Sequence, residues 1–296
     1  MRDFLRRHQL GSVLVALALL VGVYIFVFAP PLDFPVGERV TIDHGASVSN
    51  IADELSQTNV IQHGFVLKFL LRASGMSNRV QAGVYLFDSR EDVFVIAYRL
   101  VVGSYHLAPA YITFPEGVTV SDIAEKIAAT LPLISPEDII ATGTPQEGYL
   151  FPDTYLFPPN ATADSVVETM HENFNVKIAP LLPEVQSSGH SLADIVTMAS
   201  ILEKEAQSDT DKKIVAGILW NRLSRGMALQ VDADPETYAH KGLPPAPICN
   251  PGLSSIEAAL NPTETKYVYY LSDKNGVLHY ATTYAEQQAN EAKYLH

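Results

Sequence analysis

The first long pattern in the chain is an unbroken apolar one: LGSVLVALALLVGVYIFVFA, twenty residues from Leu10 to Ala29, carries no charge. At about 1.5 Å of rise per residue such a helix covers the roughly 30 Å hydrocarbon core of a bilayer. Arg2, Arg6 and Arg7 precede the run and no basic residue follows until Arg39. That bias predicts a cytoplasmic tail over 1–9, a single-pass helix over 10–29 in the cytoplasmic membrane, and an extracytoplasmic remainder. The run is longer than a signal-peptide h-region and ends in Phe26, Val27 and Phe28 before Pro30 and Pro31, with no small-x-small site, so the anchor is expected to stay uncleaved.

Beyond the proline-rich connector the pattern becomes amphipathic and partly repeats itself. TIDHGASVSNIADEL at 41–55 and TFPEGVTVSDIAEKI at 113–127 share one plan: a short strand, a turn at Gly45 or Gly117, then a helix. Ile51, Ala52, Leu55 and Ile123, Ala124, Ile127 supply the docking stripe, with Ser49 and Ser121 placed to cap. VLKFLLRASG reads as another helix and QAGVYLF as a strand, which makes residues 37–140 a small α+β region. From about residue 145 onward tyrosines, prolines and amides crowd into EGYLFPDTYLF, NRLSRGMALQVD and GLPPAPICNPG, a texture suited to a ligand cleft. In the first of these, Leu150, Phe151 and Phe157 suit a core, whereas Glu147, Tyr149 and Tyr155 suit a ligand rich in hydroxyls.

The most informative helix is SLADIVTMASILEKEAQ at 191–207, opened by an S-x-x-D capping box of Ser191 and Asp194. On a helical wheel Ile195, Val196, Met198, Ala199, Leu202 and Ala206 form one apolar arc, and Glu203 falls inside it. Lys204 and Glu205 fall on or beside the polar side, the two glutamates diverging by about 200°. A pair set at i and i+2 cannot flank one glycosidic bond, so only one of them serves a site. Desolvation on an apolar arc disfavours the ionised carboxylate, which makes Glu203 a candidate general acid. The alternative at this point is a structural ion pair with a cation such as Arg222.

Composition narrows the classes. A net charge of −13 over 296 residues excludes nucleic acid as a partner. The single cysteine, Cys249, excludes a disulfide framework and any CxxC site, and is expected to be a packed thiol. Neither HExxH nor GxSxG occurs, which removes the zinc and serine peptidases; no metal and no cofactor is expected.

ASILEKEA, VAGILWNRLSRGMALQVD, KGLPPAPICNPG with SIEAAL, and EGYLFPDTYLF, in that company, resemble the MltG-type (YceG-like) endolytic murein transglycosylases over roughly residues 35–290. The chain departs from that pattern in LQVDADPETYAHKGLPP, where a longer segment is expected and Glu236-Thr237-Tyr238 stands in place of N-T-Y. The resemblance implies an α+β protein with an N-terminal transmembrane helix, a LysM-like α+β region over 37–140 and a catalytic α+β domain over 145–296. It implies cleavage between MurNAc and GlcNAc inside peptidoglycan glycan strands, giving 1,6-anhydro ends, with Glu203, the first Glu of E-K-E, as the acid and then the base. It also implies cell-wall synthases as partners. Glu147, Tyr149, Tyr155, Asn221, Gln230, Asp232 and Tyr238 are the expected substrate-binding residues. The competing reading is a non-catalytic anchored glycan-binding scaffold.

Overall fold

A computed structural model describes residues 2–295, with side chains from residue 11 onward. The side chains of Arg2, Arg6 and Arg7, on which the expected orientation rests, lie outside the described residues. The chain is a mixed α+β protein with an N-terminal apolar helix, and it divides into two compact units: Met1–Ala110 with Pro158–Asn160, and Tyr111–Phe157 with Ala161–His296.

The first unit begins with α1 (Arg2–Val23), which continues as a π-helical turn over Tyr24–Phe28. The window Gly11–Phe28 is long and apolar enough to cross a membrane, and none of its residues is fully buried in the protein. Then come β1 (Arg39–Ile42), α2 (Val48–Gln57), α3 (Gly64–Ala73), β2 (Gly83–Leu86) and α4 (Val93–Val102). β1 and β2 pair antiparallel with Val40 opposite Tyr85 and Ile42 opposite Gly83. Ile42, Ile51, Leu55, Leu67, Tyr85 and Ile96 build the core beneath them.

The second unit starts with the same order of elements: β3 (Ala110–Thr113), α5 (Val120–Thr130), α6 (Pro136–Gly143) and β4 (Thr154–Phe157). β3 and β4 are hydrogen-bonded neighbours. The repeat therefore extends to strand-helix-helix-strand, and its two copies fall in different units. Both turn glycines hold positive φ, +76° at Gly45 and +77° at Gly117. The caps lie two residues earlier than the sequence pattern suggests: Ser47 accepts from the Asn50 N–H, and Thr119 forms a capping box with Asp122. The expected caps Ser49 and Ser121 sit inside the first turn, because Val48 and Val120 open the helices.

The rest of the second unit is α7 (Ala163–Ile178), α8 (Leu182–Ser188), α9 (Leu192–Glu205), α10 (Asp209–Ser224), α11 (Leu253–Leu260), the antiparallel pair β5 (Tyr269–Ser272) and β6 (Leu278–Ala281), and α12 (Tyr284–Tyr294). α9 starts at the expected capping box. Every residue from Ile195 to Leu202 is buried, Thr197 and Ser200 included, as α10 and α11 pack around it. A helix enclosed on all sides has no solvated face. That changes what its two terminal glutamates can touch.

Candidate active site

α9 ends at Glu205, and the chain turns there into the Ser208 cap of α10. A cavity of about 900 Å3 opens at this corner, with Glu203, Glu205, Asp211 and Asp232 among its walls together with Thr119 and Ser272. The Glu203 side chain is 9% exposed, and Lys212 beside it 4%, with Lys212 Nζ 3.1 Å from Glu203 Oε1. The other carboxylate oxygen, Oε2, accepts from the Gly252 N–H at 2.9 Å and from the Ser255 hydroxyl at 2.7 Å. Gly252 caps α11 and Ser255 lies in its first turn. The carboxylate thus sits at a helix N-terminus, where free N–H groups favour an anion. A Cβ at 117 would stand 3.3 Å from the Glu203 Cγ, so a glycine there lets backbone close on this side chain, and a Cβ at 252 would collide with the Glu116 carboxylate.

Lys212 takes the place that sequence reasoning offered to Arg222. Arg222 instead donates to the carbonyls of Val268 and Leu229 and lies over the rings of Tyr269 and Tyr270. A signal for Lys212 does exist in the sequence. It shares the buried face of α10 with Val215, Ala216, Leu219 and Arg222, a cation at helical spacing on an apolar stripe.

Glu205 is half-buried rather than set on a wet face, contrary to the wheel. Tyr270 OH donates to its Oε2 at 2.9 Å and the Ala233 N–H to its Oε1 at 3.3 Å. Burial pushes its carboxyl above the ordinary Glu range, against the lowering effect of the Tyr270 hydrogen bond. The wheel assigned one side of α9 to water, whereas Tyr270 of β5 reaches Glu205 on that side. A carboxyl whose folded-state pKa is raised binds its proton more tightly folded than unfolded. Its contribution therefore favours folding at low pH and is lost as pH rises from the ordinary Glu range through the raised value. The expected result is that Glu205→Gln gains stability relative to wild type as pH rises through that window, measured by denaturant titration at successive pH values. A constant difference across the window would refute it.

The remaining expected site residues divide. Asp232 lies on the cavity wall, where it accepts from Tyr238 OH at 2.6 Å. That bond is the main reason the Tyr238 hydroxyl is pushed up to about 12. Gln230 is exposed in a left-handed backbone conformation at φ +51°. MALQVD holds only isolated bridges, Ala228 with Lys241 and Val231 with Asp234.

Glu147, Tyr149, Tyr155 and Asn221 are placed in the framework. The Glu147 carboxylate accepts from the Val120 N–H at 3.0 Å and from Asn250 Nδ2 at 2.7 Å. Asn250, fully buried, also accepts the N–H groups of Gly148 and Leu150, and so ties EGYLF to the CNPG turn. Tyr149 packs edge-on to Phe174. Tyr155 OH donates to the Phe151 carbonyl, and Asn221 donates to that of Thr265. Cys249 is a buried thiol, as expected.

Lys212, Gly252, Ser255 and Glu205 are the members of this site that the sequence reading did not single out. Together the groups form an acidic, hydrogen-bonding cavity with one carboxylate immobilised by three donors, an arrangement that suits proton transfer on a polyhydroxylated substrate.

Comparison with known proteins gives a consistent result. A yceG-like protein of Listeria monocytogenes has a crystal structure that superposes with a TM-score of 0.57 at 29% identity, over 86% of this chain and 99% of that one. The endolytic murein transglycosylase of Bacillus subtilis is 30% identical over 307 residues, 87% of this chain and 84% of that protein. The one of Streptococcus pneumoniae D39 is 24% identical over 96% of this chain, which spans only 64% of its length. The profile of the YceG-like family matches residues 40–235 and 236–293, from β1 to the last helix and across the whole cavity. On that match, and on the likeness to the Bacillus relative, the chain belongs to the YceG-like family.

Proposed function

We propose that the protein is a peptidoglycan lytic transglycosylase that cuts inside glycan strands, with Glu203 as its acid and base. The carrying observation is that Glu203 is immobilised at the cavity wall by Lys212, Ser255 and the Gly252 N–H. Once protonated, the carboxyl gives its proton to the glycosidic oxygen between MurNAc and GlcNAc as the C1–O bond breaks. The resulting carboxylate is stabilised by one ammonium and two further donors already in place, so no reorganisation is needed as charge develops. It then takes the proton of the MurNAc C6 hydroxyl while O6 closes on C1. One bond is exchanged for another within the sugar, and water is not a reactant. An internal nucleophile has a high effective concentration, which is how a single carboxyl suffices.

The shared wall favours one second reading. Glu205 and Asp232 line the same cavity as Glu203, and a second carboxylate suitably spaced from the acid would support hydrolysis. Mass analysis of the ends released from purified peptidoglycan separates the two. Anhydro-MurNAc ends, lighter by one water than reducing ends, are expected from the interior of long strands. Reducing ends would make the protein a muramidase, and no cleavage by the folded full-length chain would leave a glycan-binding scaffold.

Two further readings accompany the first. The strand-helix-helix-strand order over 39–86 supports a LysM-like glycan-binding role, which predicts strand retention by a Glu203→Gln chain in pull-down on insoluble peptidoglycan; loss of retention only on changing the second unit would count against it. The apolar window Gly11–Phe28 supports a permanent anchor with the N-terminus in the cytoplasm. The full-length chain should stay in the membrane fraction through a carbonate wash, and protease added outside spheroplasts should remove everything beyond Pro30. A soluble form starting near Pro30 would rule the anchor out.

A further inference from the structure

The outer end of the apolar window is not a free stalk. Tyr24 OH donates to Asp92 at 2.9 Å. Gln62 Nε2 donates to the carbonyls of Ile25 and Ala29 at 2.9 and 3.1 Å, and His63 Nε2 lies 3.1 Å from that of Phe26. Phe28 stacks on Phe94, ring centroids 5.1 Å apart. The start of α3 and the start of α4 therefore grip residues 24–29.

The grip fixes a height. From Gly11 to Phe28 the window is about 27 Å long, which matches a hydrocarbon core of roughly 30 Å. From Gly11 to Val23, the part below the grip, it is only about 20 Å, too short to span. The helix can cross only if the gripping face of the first unit lies at the bilayer surface.

That face is apolar where a soluble one would be polar. Beside the grip Leu32 is 95% exposed, Phe65 66% and Phe94 45%, and Phe65 stacks on His63. Phe69 and Tyr98, one helical turn further along α3 and α4, are exposed as well. A cavity of about 600 Å3 lined by Ile25, Phe26, Leu32 and Ile61 together with the polar Asp33, Asn59 and Arg90 lies in the same place. Aromatic side chains at this depth favour the membrane interface.

We propose that the first unit docks on the bilayer surface from which α1 emerges, with Leu32, Phe65 and Phe94 inserted among the lipids and Phe69 and Tyr98 at headgroup level. The occupant of the face is lipid. The inference rests on α1 crossing the membrane, so the test includes a reporter within α1.

Since Cys249 is buried, single cysteines placed at Leu19, Leu32, Phe65, Phe94 and Asn78 of the full-length chain are the accessible thiols for an environment-sensitive fluorophore. The labelled chains are reconstituted into phosphatidylcholine-phosphatidylglycerol vesicles with or without a lipid carrying a nitroxide near the top of its acyl chain. Labels at 32, 65 and 94 should emit in the blue and lose at least half their intensity to the nitroxide lipid. The label at 78, beyond the far end of α3 and about 15 Å along it from Gly64, should stay in water. A lipid-exposed label at 19 with water-exposed labels at 32, 65 and 94 would overturn the docking and leave the anchor standing. A label at 19 outside lipid would remove the premise. Blue emission at 65 and 94 that the nitroxide lipid does not quench would assign the face to a second copy or another protein, and would overturn it too.

Discussion

Glu203→Gln is expected to lower strand cleavage by about 10²–10⁴-fold, the span that general acid-base groups contribute. An amide cannot deliver the proton to the glycosidic oxygen, yet its oxygen can still accept one of the donors that surround position 203. Glu205→Gln should cost much less, on the order of tenfold, because Glu205 is held by Tyr270 and the Ala233 N–H on another part of the wall. The measurement is the rate of release of new ends from uncrosslinked strands. Equal losses would contradict the assignment of a single acid, and a larger loss at 205 would transfer the acid to Glu205, whose raised proton affinity suits that role. Glu203→Gln is also expected to lose stability measurably, since Lys212 would be left without its counter-ion.

The same pair gives the second large effect. Lys212→Met should destabilise the second unit by about 3–5 kcal/mol, the usual consequence of stranding one member of a buried ion pair. Glu203 is held by two donors besides Lys212, and Lys212 by the Ser254 hydroxyl besides Glu203, so neither side chain can turn out to water. Adding Glu203→Gln to Lys212→Met should recover much of that loss, because no charge is then left buried alone. Trp220, the only tryptophan, lies in α10 with its indole N–H on the Ala259 carbonyl, so its fluorescence reports this unit. Additive losses in the double variant would show that the pair is not coupled and that Lys212 acts through packing alone.

Local patterns were legible wherever the responsible physics is local. The Ser191-Asp194 capping box, the turns at Gly45 and Gly117 and the period of Ile123, Ala124 and Ile127 are decided within a few residues, and each appears as read. The caps of α2 and α5 were displaced by two residues because period does not distinguish a Val at the first helical position from one inside the turn. Glu203 stood out because a charged group on an apolar arc is visible from its own helix.

What surrounds α9 was not visible from its own helix. The wheel assumed one dry side and one wet side, and on that assumption Glu205 belonged to water. In the fold α10 and α11 pack around the helix and Tyr270 of β5 reaches its end, both glutamates line the same cavity, and the partners of Glu203 are Lys212, Gly252 and Ser255. Likewise Glu147 and Tyr149 look like cleft residues in EGYLFPDTYLF, but Asn250, a hundred positions on, and Phe174 hold them, while the Tyr155 hydroxyl is engaged by the Phe151 carbonyl and Asn173. By itself the sequence determined the N-terminal apolar helix, the helical periods, the Ser191 cap and the candidate acid, all set by spacing along one element. Only the tertiary structure decided which polar groups meet, because hydrogen bonds and ion pairs form across distances in space that carry no trace in sequence separation.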